Sequence, residues 1–388
     1  MDERVKFMGM YLRGEWSVSA LCRHFGISRK TGYKWIGRYL ESGSVGLRDR
    51  SRAPLTNQNA VSDEVVGAVV TARRRHPTWG PRKLRAWLDR EHPEGQWPAS
   101  STIGEILHRH GLTVPRRRSR RTTPYTDPFK ACSQPNTVWS ADLKGWFLTG
   151  DGNRCDPLTI TDNYSRYLLR CQAVVPANHD AMRPVFEAAF REYGMPLAIR
   201  TDNGVPFATT TVGALSKLSI WWIKLGITPE RIEPGKPAQN GRHERMHRTL
   251  KDETASPPKR TLKQQQKAFD NFRNEYNYDR PHEGIDQDTP DSLYSCSSRQ
   301  YPLELSEITY PDHMSVRKVH SQGDLRWKNR QIYLSETLAG ELVALDQTDN
   351  DKWDIYFGKI KLAVLDTDRF CLIHLPKTRR MTKKEKLT

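Results

Sequence analysis

The apolar residues of this 388-residue chain change their period twice, and that change limits the fold more than any single motif. Up to about residue 112 they recur at helical spacing. From about 133 to 290 short apolar runs alternate with amphipathic segments. Beyond 290 the runs are short, rich in Val, Ile, Tyr and Trp, and divided by Gly and Asp-Asn turns. No single class of secondary structure satisfies all three patterns, because a helix aligns i, i+3 and i+4 whereas a strand aligns i and i+2. A multidomain chain is expected: all-α modules first, an α/β unit in the middle, a small all-β unit last.

Residues 4–14 read as a short amphipathic helix. In 17–43, Ser17 or Ser19 can cap a helix with Ala20, Leu21 and Phe25 on one face. Gly26 permits a turn, Ile27 plugs the core, and Ser28 caps a second helix whose inner face is expected to carry Tyr33, Ile36 and Tyr39. This is the grammar of a helix-turn-helix. Arg29, Lys30, Thr31 and Lys34 then lie near the start of the recognition helix, where base and phosphate contacts are made. The competing reading is a small bundle with a solvated basic face. Residues 46–54 read as an extended basic linker. A second three-helix pattern follows in 62–77, 79–91 and 98–112, ending at Gly111. The run 115–121 supplies Arg116, Arg117, Arg118, Arg120 and Arg121, placed for phosphate contact.

The formal charge is +17, from 62 basic and 45 acidic residues, so a polyanion is the expected partner and double-stranded DNA the first choice. The six cysteines form no C-x-x-C pair and suit reduced, buried thiols. The first 16 residues carry charges where an export signal needs an apolar run, and the most apolar stretch, 218–227, is too short to span a bilayer. A cytoplasmic protein with no membrane partner is expected.

In the α/β part, 136–148 is a strand, 157–175 forms two strands around a turn at Asp162-Asn163, 179–194 is a helix ended by Gly194, and 196–204 is a short buried strand. After an irregular stretch come a helix over 239–253, with Asn240 as its N-cap, and another over 261–280 closed by Pro281. The last runs, 314–319, 323–334, 340–347 and 352–366, suit a barrel of five or six strands. Three acids occupy special places. Asp142 lies inside the first strand, where a charge is costly unless paired or bound to a cation. Asp202 lies where the fourth strand ends before Asn203-Gly204, the kind of place where α/β folds meet ligands. Glu244 lies on the long helix. Converging, they would make an acidic pocket suited to Mg²⁺. Two such ions about 4 Å apart can activate a nucleophile and hold the leaving oxygen of an in-line phosphoryl transfer.

Residues 243–247, HERMH, also match a zinc-protease pattern, with Glu275 as a conceivable third ligand. Against it, Arg242 and Arg245 flank the histidines and would repel a dication. Measured from His243 along a helix, Lys251 falls at about 80°, Glu244 at about 100° and Arg248 at about 140°, one face that offers a metal ligand and two phosphate-binding cations. Glu253, the rival for third carboxylate, falls at about 280°, away from that face. His243 and His247 sit between the Glu244 face and the Met246/Leu250 stripe, so they read as edge-of-core residues or as neighbours of the metal site.

The strings WSADLKG, TDNYSRY, RTDNGVPF, PGKPAQNGRHERMHRTLKDE and YNYDRPHEGI occur in one order. With them the chain resembles, over nearly its whole length, a DDE transposase of bacterial insertion sequences with a retroviral-integrase-like (RNase H-like) core. The resemblance implies a catalytic, metal-binding triad of Asp142, Asp202 and Glu244, with Asn203, Asn240 and His247 beside it. It implies two Mg²⁺ ions, replaceable by Mn²⁺, and an SH3-like terminal barrel. The helix-turn-helix modules would bind terminal inverted repeats. DNA hydrolysis would free a 3′-OH that then attacks target DNA, carried out by at least a dimer on nucleoid DNA. The implied domains are 1–52 and 53–115 (helix-turn-helix), 116–132 (basic linker), 133–290 (catalytic core), 291–375 (barrel) and 376–388 (disordered basic tail). Two departures stand out. The 41 residues between Asp202 and Glu244 exceed the spacing of many relatives, with the excess expected in 209–222, and the His-His-Cys-Cys module of retroviral integrases has no counterpart. A catalytically silent regulator and another RNase H-like nuclease are the alternatives.

Overall fold

The computed structural model describes residues 2–50, 60–113, 132–209, 212–232 and 241–374. The chain divides into two compact units, Met1–Ser62 and Asp63–Thr388.

The first unit packs α1 (Asp2–Leu12), α2 (Val18–His24) and α3 (Arg29–Ser42) around Phe7, Met8, Leu21, Cys22, Trp35, Ile36 and Leu47. Ser17 caps α2 by accepting from the Ala20 N–H at 3.3 Å, and Ser28 caps α3 through the Thr31 N–H at 3.2 Å. Gly26, at φ 62°, makes the turn between them. Gly32 is required for close approach, since a Cβ there would lie 2.4 Å from Cys22 Sγ. The inner face of α3 runs through Gly32, Trp35, Ile36 and Tyr39. Tyr33, expected inside, is 60% exposed, because it lies about 100° round the helix from Gly32. The expected extended linker also begins later: Gly46 and Leu47 are buried in a 3₁₀ turn, Gly43–Leu47, while 51–54 lie outside the described residues.

The second unit opens with α4 (Asp63–Arg75), α5 (Pro81–Glu91) and α6 (Ser100–Arg109), packed around Val69, Trp79, Leu84, Leu88, Ile103 and Leu107. Then come β1 (Val138–Leu143), β2 (Phe147–Leu148), β3 (Arg154–Asp162), β4 (Leu168–Val174), α7 (His179–Tyr193), β5 (Ala198–Thr201), α8 (Lys217–Lys224), β6 (Thr228–Arg231), α9 (Gly241–Thr254) and α10 (Leu262–Asn274). β3 pairs antiparallel with β1, β2 and β4, while β5 joins β1 and β6 joins β5 in parallel. One face buries Trp139, Ala141, Leu158 and Ile160 against Phe186 and Phe190 of α7 and Trp221 and Trp222 of α8. The other brings Cys155, Leu168 and Cys171 against Met246 and Leu250 of α9 and Phe269 and Phe272 of α10. A sheet covered by helices on both faces is the central integrase-like α/β core. α8 and β6 occupy a stretch expected to be irregular. The run LSIWWIKLGI is apolar throughout, so it has no period to separate helix from strand.

The C-terminal region holds β7 (Ser315–Lys318), β8 (Asp324–Trp327), β9 (Arg330–Tyr333), β10 (Leu342–Asp349), β11 (Lys352–Phe357), β12 (Ile360–Asp366) and β13 (Cys371–His374). The expected barrel does not close among the described residues. The strands form an open antiparallel sheet in the order β13-β12-β11-β10-β7, with β8 and β9 as a separate hairpin. Its core takes in Val212, Leu215 and Ile220, and Thr337 Oγ1 donates to the Leu215 carbonyl at 3.1 Å. Residues of the 209–222 stretch thus form part of the seat of the C-terminal sheet. Cys22, Cys155 and Cys171 are buried as expected, but Cys296 and Cys371 are exposed. Among the described residues no helix is long and apolar enough to cross a membrane. The tail 376–388 lies outside the described residues.

Candidate active site

Strand register places the first two carboxylates. Val138 stands opposite Ala198, Trp139 opposite Ile199 and Ser140 opposite Arg200 in the parallel β1–β5 pair. Two residues further at the same register, Asp142 is level with Asp202, the first residue past β5. Neighbouring strands at one level direct their side chains to one face. Trp139, Ala141 and Ile199 belong to the α7/α8 side, so Ser140 and Asp142 belong to the α9 side. Asp202 is half-buried, and its Oδ1 accepts the Gly204 N–H at 3.1 Å, which closes the Asp-Asn-Gly turn. Asn203 donates from Nδ2 to the Ile232 carbonyl at 2.8 Å and so ties that turn to the end of β6.

α9 is held to this face by its histidines. Thr159, opposite Asp142 in the β1–β3 pair, meets His243 Nε2 at 2.6 Å and His247 Nε2 at 2.7 Å. Thr161 Oγ1 lies 3.3 Å from His243 Nδ1, and His247 Nδ1 lies 3.9 Å from Asp142 Oδ2. Burial pushes His243 down to about 3. Burial, then His243 and Lys144, push His247 down to about 2. Both rings are therefore neutral near neutral pH, each with one N–H. The Thr159 hydroxyl, which also reaches the Asp142 carbonyl at 3.2 Å, gives both buried Nε2 atoms a hydrogen-bond partner. Glu275, the conceivable zinc ligand, instead meets His76 Nδ1 at 3.0 Å. Among the described residues, Asp142, His243 and His247 form the group whose ligand atoms lie within 4.8 Å of one another; Asp202 and Glu244 stand outside it.

Glu244, Arg248 and Lys251 are all exposed on α9. Glu253 is committed elsewhere: its Oε1 accepts from Arg280 Nη1 at 2.7 Å and from Thr78 Oγ1 at 2.5 Å. The Thr78 contact is part of a seam that the residue pattern gave no sign of, where α4–α6 dock on the core. Lys83 Nζ donates to the Pro281 carbonyl and Arg90 Nη2 to the Asp279 carbonyl, each at 2.7 Å. Burial, then the Arg280 and Arg245 charges, bring Lys83 down to about 7. In the first unit, Arg29, Lys30 and Lys34 are exposed, and Thr31 is half-buried with its hydroxyl 2.9 Å from Ser28 Oγ. Asn240 and Arg116, Arg117, Arg118, Arg120 and Arg121 lie outside the described residues.

Family models match in three places: a helix-turn-helix domain over residues 3–54, a homeodomain-like domain over 31–107 and an integrase core domain over 225–290. A protein of insertion element IS407 from Burkholderia multivorans is 27% identical over 231 residues, 59% of this chain and 80% of its own length. The transposase for transposon Tn552 from Staphylococcus aureus is 22% identical over 390 residues, 89% of this chain and 78% of its own length. The chain is thus similar to an integrase core domain, to helix-turn-helix domains and to proteins of insertion elements and a transposon. The integrase core domain match over 225–290 includes Glu244 and both histidines, and the helix-turn-helix match includes the basic start of α3. Among solved structures, the HTLV-2 integrase catalytic core domain in complex with magnesium aligns with 42% of this chain and 97% of its own chain, at 16% identity and a TM-score of 0.33.

Proposed function

We propose that the protein is a metal-dependent DNA transposase in which Asp142, Asp202 and Glu244 form the catalytic centre. The observation that carries this reading is the parallel β1–β5 register up to Ser140 and Arg200, which, continued by two residues, would bring Asp142 level with Asp202. The donors are all carboxylate oxygens, which fits Mg²⁺ or Mn²⁺ and disfavours softer metals. Two divalent ions bound there would activate the attacking oxygen and stabilise the leaving one in both DNA hydrolysis and strand transfer. The chain's own contribution is placement. In this reading β1 and the end of β5 carry two of the carboxylates, and α9, pinned by His243 and His247 to Thr159, carries the third, Glu244. Arg248 and Lys251, exposed beside Glu244, hold DNA phosphates.

Arg29, Lys30, Thr31 and Lys34 contact the terminal inverted repeats from the recognition helix α3, and Arg116, Arg117, Arg118, Arg120 and Arg121 extend the phosphate contacts. Cutting two ends in concert calls for at least two copies on the DNA, in the cytoplasm at the nucleoid. The test is a cleavage and strand-transfer assay on the element's ends with Mg²⁺ or Mn²⁺. Asp142→Asn, Asp202→Asn and Glu244→Gln each abolish both reactions and keep end binding. Full activity of any one variant refutes the triad, and a wild-type protein that binds ends but never cuts them would be a silent regulator.

A further inference from the structure

Arg166, in the turn between β3 and β4, carries a guanidinium with five N–H donors and no hydrogen-bond, ion-pair or ring partner among the described residues. Its Nε is buried and unsatisfied, and so is Asn163 Nδ2 in the same turn. The backbone holds Arg166 at φ 67°, which a non-glycine residue adopts only at a cost. Its guanidinium lies against Gly284, where a Cβ would fall 2.2 to 2.4 Å from it. Burial and the like charges of Arg242 and Arg245 all disfavour its cation. Arg245 has Glu283 at 3.7 Å, and among the described residues Arg242 donates to the Asn163 carbonyl at 3.2 Å and forms no ion pair. A half-buried cation beside two like charges, with its Nε unsatisfied, is a poor device for stability.

Asn163, Arg166, Arg242 and Gly284 line one cavity of about 330 Å³ between this turn, the start of α9 and the loop after α10. It adjoins the candidate active site, because Ser140 Oγ donates to Asn163 Oδ1 at 2.9 Å and stands two residues before Asp142 on β1. We propose that this cavity binds one backbone phosphate of the DNA, with Arg166 and Arg242 as its cations and the Asn163 amide as a further donor. Asp286 and Asp288 line the same cavity. They disfavour a free dianion. A diester carries one charge and arrives with base amino groups from which a carboxylate can accept. The site rests on DNA being the substrate, as proposed above.

The test uses the full chain and a fluorescently labelled duplex carrying the element's ends, with divalent metal chelated so that binding is read without chemistry. Arg166→Gln weakens binding about tenfold and lowers the slope of log K against log salt by about 0.9, the loss of one phosphate. Gly284→Ala moves both in the same direction with every charge kept, because it displaces the guanidinium. In the free protein Arg166→Met raises Tm. Wild-type affinity and slope in both Arg166→Gln and Gly284→Ala overturn the site, as does a lower Tm for Arg166→Met. So does equal stabilisation of the wild type by inorganic phosphate and by duplex, which would assign the cavity to a free anion. If wild-type protein fails to bind the duplex, the DNA reading itself falls; if it binds and the variants bind alike, only this site falls.

Discussion

Glu244 and Glu253 sit nine residues apart on one helix and meet different surroundings. Glu253 is enclosed by Arg280 and Thr78, whereas Glu244 faces solvent with no partner among the described residues. A carboxylate already held by a guanidinium must break that bridge before it can take a metal ion. An exposed, unpartnered one need not. Helix geometry alone put the two about 180° apart; the contacts show that Glu253 is the one already held. The largest expected effect tests this directly. Glu244→Gln lowers strand transfer by about a thousandfold or more, since metal-held charge stabilisation contributes several kcal/mol. Its thermal unfolding matches the wild type. A Glu244→Gln protein that is active but unstable would reverse the comparison.

The complementary substitution acts on stability. Arg280 and Glu253 side chains are 8% and 16% exposed, so removing one charge strands the other in a largely dry site. Glu253→Gln is expected to cost about 3 kcal/mol of folding free energy. Urea denaturation reads the loss, and hydrogen exchange in α4–α6 shows whether it falls on the docked helices. Strand transfer per folded molecule stays close to wild type. Arg280→Met costs as much, by leaving the carboxylate unpaired.

The difference between the two ends was only partly legible in the sequence. Local signals carried far: Ser17 and Ser28 cap the helices expected of them, Gly26 turns the chain, and Asp162-Asn163 opens the β3–β4 turn. Each depends on neighbours within a few residues. Tyr33 failed because three aromatic or apolar residues fit more than one helical phase, and the close approach of Gly32 to Cys22 chose between them. The level placement of Asp142 and Asp202 depends on a parallel register that no local pattern encodes. The histidines were placed at the edge of a core by their angle, and only the Thr159 hydroxyl across the sheet explains why both can be buried. The seam between α4–α6 and residues 275–281 joins positions nearly 200 apart, and nothing in either segment announces the other.

That seam also has an acid-sensitive member. His282 is buried, its Nε2 is 3.1 Å from the Tyr276 carbonyl, and burial followed by the Lys83 charge brings it down to about 3. The unfolded chain takes up a proton below about 6.5 while the folded chain does not. The stability that His282 contributes is therefore complete above about pH 6.5 and is lost as pH falls toward 3, at about 2 kcal/mol by pH 5. His282→Gln, whose amide can still donate to the carbonyl, is expected to unfold less steeply with acid, by about one proton across that window. Denaturant midpoints between pH 7 and pH 5 measure it. Equal acid slopes in the two proteins would mean that the end of α9 near Glu253 is less enclosed than the ion pair suggests.

The smallest effect belongs to Thr78, which is exposed and adds a second donor to Glu253. Thr78→Val removes one hydrogen bond to a charged acceptor that Arg280 continues to hold, so its cost is expected at about 0.5 to 1 kcal/mol, the range of a partly solvated bond. Thr78→Val combined with Glu253→Gln decides whether the bond matters as drawn. If Thr78 acts through the Glu253 carboxylate, the double variant is less destabilised than the sum of the two singles, because the second change removes a partner already lost. Strict additivity would place the role of Thr78 in the turn before α5 instead. The docking of the helical module would then rest on Lys83, Arg90 and His76, and the committed end of α9 would be held by Arg280 alone.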